Sequence, residues 1–343
     1  MKALTARSLL LLVALASSST TFAQYKLTAL VENLPNKAPH TDPNLVNAWG
    51  LARSSGSPFW ISDNVTGLST LYDGAGNPQS LVVTIPAQAA GAKGSPTGIV
   101  FNGSNDFVVS QNGVSGAAVF IFAGLDGSIS GWNPTVNLNS AILAPTQNTG
   151  ALYTGLAISS GTDGNFLYAA DAANNRVDVF DGSFHLIKTL TDSTIPEGFS
   201  AYGIQDLNGK VYVTYASNGN APGGFIDIFT EGGAFVKRFT EGGTLNQPWG
   251  LAQAPRNFGP FSTAILVSNN TTDGTIGAFD AKSGKFLGKL TDASGKPIHI
   301  DQLWGLEFGG GATTNGAVNQ LFFTAGPDNY GRGEFGMIEF AGK

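Results

Sequence analysis

Short apolar runs separated by polar, glycine-bearing turns fill the chain from Tyr25 onward, and they recur as one unit six times. Each copy opens on an aromatic or small residue, a glycine and an aliphatic residue: Trp49-Gly50-Leu51, Thr97-Gly98-Ile99, Thr154-Gly155-Leu156, Tyr202-Gly203-Ile204, Trp249-Gly250-Leu251 and Trp304-Gly305-Leu306. The glycines lie 48, 57, 48, 47 and 55 residues apart. Some ten residues after each opening comes a second apolar run, such as Phe59-Trp60-Ile61 or Phe107-Val108-Val109. An Asp/Asn turn and an alternating third run follow, as in Val119 to Phe122 or Val177 to Phe180. A Gly-bearing turn then leads to a fourth run, such as Leu81 to Ile85. Runs of this length, rich in β-formers and bounded by turn residues, predict strands.

Four antiparallel strands every 47–57 residues is the unit of a propeller blade, so an all-β six-bladed β-propeller of four-stranded antiparallel blades is expected. The last copy stops after its third strand, at Phe340 to Lys343, while an orphan strand, Tyr25 to Val31, precedes the first copy. That N-terminal strand is expected to complete the last blade and close the ring, which pairs an otherwise bare edge.

Composition narrows the setting. Of 343 residues, 12% are charged and 46 are glycine, which suits short strands and tight turns and argues against long exposed helices. Residues 1–23 read as a signal peptide: Lys2 and Arg7, an apolar stretch from Leu9 to Ala16, and Thr21-Phe22-Ala23 before Gln24. The apolar stretch is far shorter than the roughly 20 residues of a membrane span. The reading is therefore a leader over 1–23, one propeller domain over 24–343, and a monomer that is secreted or periplasmic with no membrane span after cleavage. Loss of Lys2 and Arg7 leaves 16 Lys and Arg against 24 Asp and Glu, a formal charge of −8. No basic cluster offers a nucleic-acid footprint. The absence of cysteine removes disulfides, a lipid-anchoring cysteine and thiol chemistry together.

The third copy, Phe166-Leu167-Tyr168-Ala169-Ala170-Asp171-Ala172-Ala173-Asn174-Asn175-Arg176-Val177-Asp178-Val179-Phe180, resembles the NHL repeat, in which Asp and Asn cap the turn before an Arg-Val-x-Val-Phe strand. The stretch from Thr41 through Trp49-Gly50-Leu51 to Asp63-Asn64 is similar to an uncharacterised family of exported bacterial propellers, and the likeness covers nearly all of residues 24–343. That resemblance implies a fold and a compartment, and no reaction. Among NHL-like enzymes the nearest resemblance is to calcium-dependent lactonases, which place a metal-binding Asn just before one Gly-Leu opening. Here those positions hold Trp49, Thr97, Thr154, Tyr202, Trp249 and Trp304, and none is Asn. The zinc-ligand histidines of amidating-lyase propellers find no match among three histidines.

In a propeller the residues before each opening and in each Asp/Asn turn converge on one mouth of the axis. The candidates there are His40, Asp42, Asn47, Trp49, Asp63, Asn64, Asp171, Asn174, Tyr202, Trp249, Asn269, His299, Asp301, Trp304 and Asp328. His40-Thr41-Asp42 and His299-Ile300-Asp301 share a pattern, and closure makes blades one and six neighbours. Imidazole and carboxylate together suit a transition metal or acid–base chemistry. The Asp/Asn turns offer hard oxygens suited to calcium, and equally stabilise turns by themselves. The recurring Trp and Tyr suit either stacking on a ligand or packing between blades. No Gly-x-Ser-x-Gly elbow or HExxH is present. The expectation is a binding module presenting this rim to a small molecule, a glycan or an extracytoplasmic protein. The alternative is a metal-assisted hydrolase or lyase with His40, Asp42, His299 and Asp301 as ligands of a divalent ion, calcium or a transition metal.

Overall fold

The computed structural model describes residues 24–145, 147–161, 164–219 and 221–342, so the expected leader over 1–23 lies outside the described residues. Six four-stranded antiparallel sheets follow one another around a ring. Blade one comprises Ala48–Ala52, Phe59–Asp63, Leu68–Tyr72 and Val83–Thr84; blade three comprises Tyr153–Gly161, Gly164–Asp171, Arg176–Phe180 and Leu186–Leu190. Blade four runs from Phe199–Asp206 to Phe235–Glu241 and blade five from Pro248–Gln253 to Phe286–Lys289. Among the described residues the helical content is one 3-10 turn, Gly259–Phe261.

Blade six closes the ring. Its strands Leu303–Phe308, Gln320–Ala325 and Glu334–Gly342 are completed on the outside by Gln24–Glu32, antiparallel to the last strand in a register running from Gln24 opposite Gly342 to Glu32 opposite Glu334. His40–Thr41 adds a short parallel pairing beyond it. Tyr25 anchors the closing strand: its hydroxyl donates to the Phe258 carbonyl (2.9 Å), and its ring packs against Phe258, Phe261 and Phe340. On the other side of blade six, the buried Asn315 donates to the carbonyls of Ser54, Ser55 and Ser57 in blade one.

Blade two departs from the sequence expectation. Phe120–Gly124, expected as its third strand, pairs directly with the innermost Pro96–Phe101 and is the second. Ile129–Trp132 and Ile142–Leu143 complete the sheet. Val108–Gln111 and Val114–Ala117, where a second strand was expected to begin, form a separate hairpin. Its turn is Asn112-Gly113, both at positive φ (52° and 80°), the signature of a tight two-residue turn. Phe107 and Val109 are buried all the same, so the apolar pattern is real but packs outside the sheet, over Gly131. This inserted hairpin accounts for the 57-residue interval.

Each junction between neighbouring blades carries its own apolar core, including the junction of blade six with blade one, where Phe322, Phe335 and Met337 meet Phe59, Ile61 and Tyr72. The recurrent opening glycine follows from close approach at the axis. A Cβ on Gly203 would strike the Trp249 carbonyl and one on Gly250 the Trp304 carbonyl, each belonging to the next blade. Hydroxyls stitch the innermost strands together at the same level. Where the residue before the glycine is Thr, it makes the stitch itself: Thr97 donates to the Tyr153 carbonyl (2.8 Å) and Thr154 to that of Tyr202 (2.7 Å). In blades five and six, where that residue is Trp, the second strand supplies the hydroxyl: Ser268 donates to the Trp304 carbonyl (2.7 Å) and Thr324 to that of Trp49 (2.6 Å), while Ser62 of blade one makes no such bond. Blades two and three carry Ala123 and Ala170 at this second-strand position. Hydroxyl and aromatic thus alternate roles, and the blades with aromatics are free to point them at the axis.

Candidate functional site at the upper rim

The upper rim, where the innermost strands begin, is closed by aromatic side chains. Trp49 stacks on Trp304 (centroids 3.8 Å apart, planes at 16°), and Trp249 meets Trp304 edge-on at 5.7 Å. Tyr202, Tyr330 and Leu125 pack around the three. Beneath this plug the axial cavity, lined by opening residues such as Gly50, Ile99 and Leu251, has only about 20 Å³, room for a single water. Among the described residues the central channel is therefore closed at this end, and the aromatic positions fill the axis rather than the gaps between blades. Two indole N–H groups are fixed: Trp304 donates to Asn47 Oδ1 and Trp249 to the Thr154 carbonyl across the ring, both at 2.9 Å. The third, Trp49 Nε1, is buried without a partner.

Two residues before each of the three tryptophans stands a buried amide, Asn47, Gln247 or Gln302, with φ of 50°, 52° and 52°. A left-handed glutamine is uncommon, and such strain concentrates at functional sites. The backbone from Asp328 to Tyr330 is left-handed at three successive residues (58°, 52°, 67°). That loop lays Tyr330 against Trp304 (5.7 Å) and directs its hydroxyl to Asn270 Oδ1 (2.9 Å). Between blades five and six these strained segments enclose a cavity of about 270 Å³. Its walls are Asn246, Gln247, Asn270, Thr271, Thr272, Gln302, Asn329 and Tyr330, so every polar wall group is an amide, a hydroxyl or a phenol. Burial holds the Tyr330 phenol above its ordinary value, with the Asp301 charge adding to the effect. Gln302 is 7% exposed, and its Oε1 is buried with no partner, as is Asn246 Oδ1.

Of the residues singled out from sequence, Asn47, Trp49, Tyr202, Trp249 and Trp304 come together at the axis. Asn64 bridges Asn47 to the Pro96 carbonyl, and Asn269 Oδ1 accepts the Asn246 N–H. Asp171 and Asn174 cap the turn of blade three, with Arg176 against Asp171 at 3.3 Å. The exposed Asp328 lies 3.9 Å from Arg332. Asp42 accepts the Tyr72 hydroxyl (2.9 Å), and Asp63 is fully buried nearby. His299 and Asp301 line a separate cavity of about 480 Å³, and His40 and Asp42 are not among its walls. Among the described residues no three His, Asp or Glu side chains are grouped to hold a metal ion.

Sequence reasoning missed Gln247, Gln302 and Tyr330. The recurring Asn/Gln-x-Trp-Gly at 47, 247 and 302 was the available trace of the first two. It also missed a carboxyl pair in the 480 Å³ cavity. Glu32 and Glu334 face each other across the closing strands. Glu32 is held by the Lys37 and Ala38 N–H groups and Asn36 Nδ2 (2.8–3.0 Å). Burial, then the Glu32 charge, raises Glu334 to about 7. At the lower rim a cavity of about 430 Å³ contains Asp206, raised by burial to about 6, and Glu307, raised by burial to about 7 despite Arg53 at 3.5 Å.

These three carboxyls set a pH dependence. Each binds its proton more tightly folded than unfolded, so stability falls as pH rises from about 4.5 through 7. The groups lowered by turn hydrogen bonds, such as Asp192 and Asp292, act in the opposite sense below about pH 4. Denaturant unfolding is expected to show a maximum near pH 5, with a loss on the order of 2–4 kcal/mol by pH 8 after allowance for partial exposure. A profile rising from pH 5 to 8 would contradict these assignments.

No family model matches the sequence. Among curated proteins, Uncharacterized protein R648 of Acanthamoeba polyphaga mimivirus is 33% identical over 332 residues, covering 92% of this chain and 80% of the relative. Uncharacterized protein L690 of the same virus is 31% identical, covering 92% and 86%. These relatives are viral, where the sequence resemblance pointed to bacterial proteins. Among solved structures, a gluconolactonase from Xanthomonas campestris superposes with a TM-score of 0.55 at 13% identity, covering 86% of each chain. Virginiamycin B lyase from Staphylococcus aureus gives 0.53 at 14% identity, covering 92% of this chain and 99% of the lyase. At such identity these likenesses show the shared propeller fold alone.

Proposed function

Because the chain belongs to the family of the mimivirus proteins R648 and L690, both uncharacterized, we propose its function from its own rim: it is a ligand-binding module for a small, uncharged, polyhydroxylated group. A terminal sugar of a glycan or a free monosaccharide is the chemistry that fits. The observation that carries this is the cavity between blades five and six, lined by amides and hydroxyls, with the Gln302 carboxamide oxygen buried and unpaired. An unmet buried acceptor costs about 1–3 kcal/mol, which an arriving hydroxyl donor would relieve. Amides offer donors and acceptors together, as sugar hydroxyls do. Tyr330 supplies the aromatic wall. At about 270 Å³ the cavity lies just under the roughly 300–1,000 Å³ of pockets for drug-sized ligands, which favours one ring.

The setting we propose is outside the cytoplasm, as the expected leader over 1–23 suggests, acting as a monomer on a small molecule, a glycan or an extracytoplasmic protein that carries one. Among the described residues no helix is long and apolar enough to cross a membrane.

Calorimetric titration of a panel of neutral monosaccharides, with uronic acids and amino sugars alongside, tests the reading. A neutral sugar is expected to bind and its charged counterparts to bind at least tenfold more weakly. Gln302→Leu is expected to weaken the neutral sugar about tenfold, equivalent to about 1.4 kcal/mol. Absence of binding by every neutral sugar, or binding indifferent to Gln302→Leu, would overturn it.

A hydrolase or lyase is the second reading, and the Glu32–Glu334 pair is what favours it. One carboxylate accepts three hydrogen bonds, while the other is raised to about 7 directly across the ladder. A carboxyl raised in this way suits a proton donor near neutral pH. On this reading the working residues are Glu32 and Glu334, with His299 on the same wall.

A further inference from the structure

Three blades bury a carboxylate at the upper end of the second or third strand, and two of them neutralise it in the same way. In blade three, Arg176 lies opposite Asp171 in the strand register and reaches both Asp171 (3.3 Å) and Asp178 (2.8 Å). In blade four, Arg238 reaches Asp227, Asp192 (2.8 Å) and Glu241 (2.6 Å). Blade one has the carboxylates without the guanidinium. Asp63 stands at the position of Asp171, and its register partner is Leu68, where blade three has Arg176.

Asp63 is 0% exposed, and Thr70 offers its carboxylate side-chain and backbone donors without forming a well-aligned hydrogen bond. The register places Asp63, Thr70 and Tyr72 on one face of the sheet. Thr70 Oγ1 is likewise buried, beside Asp63 and Tyr72, without a well-aligned bond to either. Asp42, half-buried at the rim, accepts the Tyr72 hydroxyl on that face; burial first, and the Asp42 charge in addition, hold the Asp63 carboxyl well above its ordinary value. Among the described residues the ion pairs engage other carboxylates, so nothing cationic answers Asp42 or Asp63. A lone buried carboxylate is unfavourable by far more than a paired one.

We infer that blade one takes a hard divalent cation from solution, bound by Asp63 and Asp42 with the Thr70 hydroxyl, in place of the arginine its sister blades carry. All the available donors are oxygens, and two carboxylates balance a divalent charge. Calcium accepts six to eight oxygen ligands, so water and nearby carbonyls complete its shell. Two carboxylates with a hydroxyl form a smaller acidic set than the three-carboxylate or histidine groups absent among the described residues. This site is separate from the sugar cavity of blades five and six.

Chelator-treated protein titrated with calcium chloride, read by melting temperature and by metal retained after gel filtration, tests the inference. Wild type is expected to retain about one calcium per chain and to melt roughly 3–6 °C higher at a hundredfold excess over Kd. Asp63→Asn is expected to lose both responses. Leu68→Arg, which copies the Asp171–Arg176 pair, is expected to melt higher than chelated wild type and to ignore calcium, so the test survives if Asp63→Asn fails to fold. Wild type that retains no calcium and melts identically with and without it would overturn the inference. So would Asp63→Asn melting at or above wild type in calcium, which would make Asp63 a neutral buried acid.

Discussion

Trp304→Ala is expected to lower the unfolding free energy by about 3–5 kcal/mol, the range for emptying a large aromatic from a packed core. Trp304 is 1% exposed and is the hub of the axial cluster, in contact with Trp49, Trp249, Tyr202 and Tyr330. Removing it takes a packing partner from four rings and leaves Asn47 Oδ1 without the indole donor. The cluster cannot readily collapse to fill the gap, because the innermost strands are already in close contact at the glycines and tied to one another by hydroxyl–carbonyl bonds at four junctions. Trp304→Phe, which keeps a ring but loses the N–H donor, should lose less than half as much. Urea unfolding followed by circular dichroism measures both. A loss under about 1 kcal/mol for Trp304→Ala would show that the plug is not a packed core.

A chain lacking residues 1–32 is expected to yield no folded monomer. It forfeits the whole ladder from Gln24 opposite Gly342 to Glu32 opposite Glu334 and the Tyr25 contacts with Phe258, Phe261 and Phe340. It also bares the edge of Glu334–Gly342, and a long unpaired edge is a template for association. Tyr25→Ala, which keeps the ladder, is the milder form: about 2–4 kcal/mol, from a buried ring and its bond to Phe258. Gel filtration and cooperative unfolding separate these outcomes. A monomeric truncated protein with wild-type stability would mean that the ring is shut elsewhere.

The ring itself was legible because close approach at the axis forces glycine at every opening, and that writes a period into the sequence. Closure was legible too, since a missing fourth run and an orphan first one can satisfy each other. Blade two was misread because Phe107 and Val109 bury their side chains from a hairpin as well as they would from a strand. Periodicity reports burial, and says little about which partner supplies it. The rim was half legible. The tryptophans stand at repeat positions, but the left-handed turns at Gln247, Gln302 and Asp328–Tyr330 that shape the cavity have no glycine to announce them. The two HxD tripeptides drew attention through their matching pattern; His299 and Asp301 line the large cavity, while His40 and Thr41 pair with the closing strand beside Glu32 of that cavity and Asp42 accepts the Tyr72 hydroxyl. Glu32 and Glu334 meet only because the first strand lies beside the last, which no local pattern records.

Hydrogen exchange with and without a saturating neutral monosaccharide, chosen as the tightest binder of the titrated panel, asks where the ligand sits. Slowed exchange confined to residues 244–247, 270–272, 302 and 328–330 is the predicted result. Protection at 205–208, 251–255 and 306–308 on the opposite rim, or none at all, would contradict the assignment of binding to the amide-lined cavity beside the tryptophan plug.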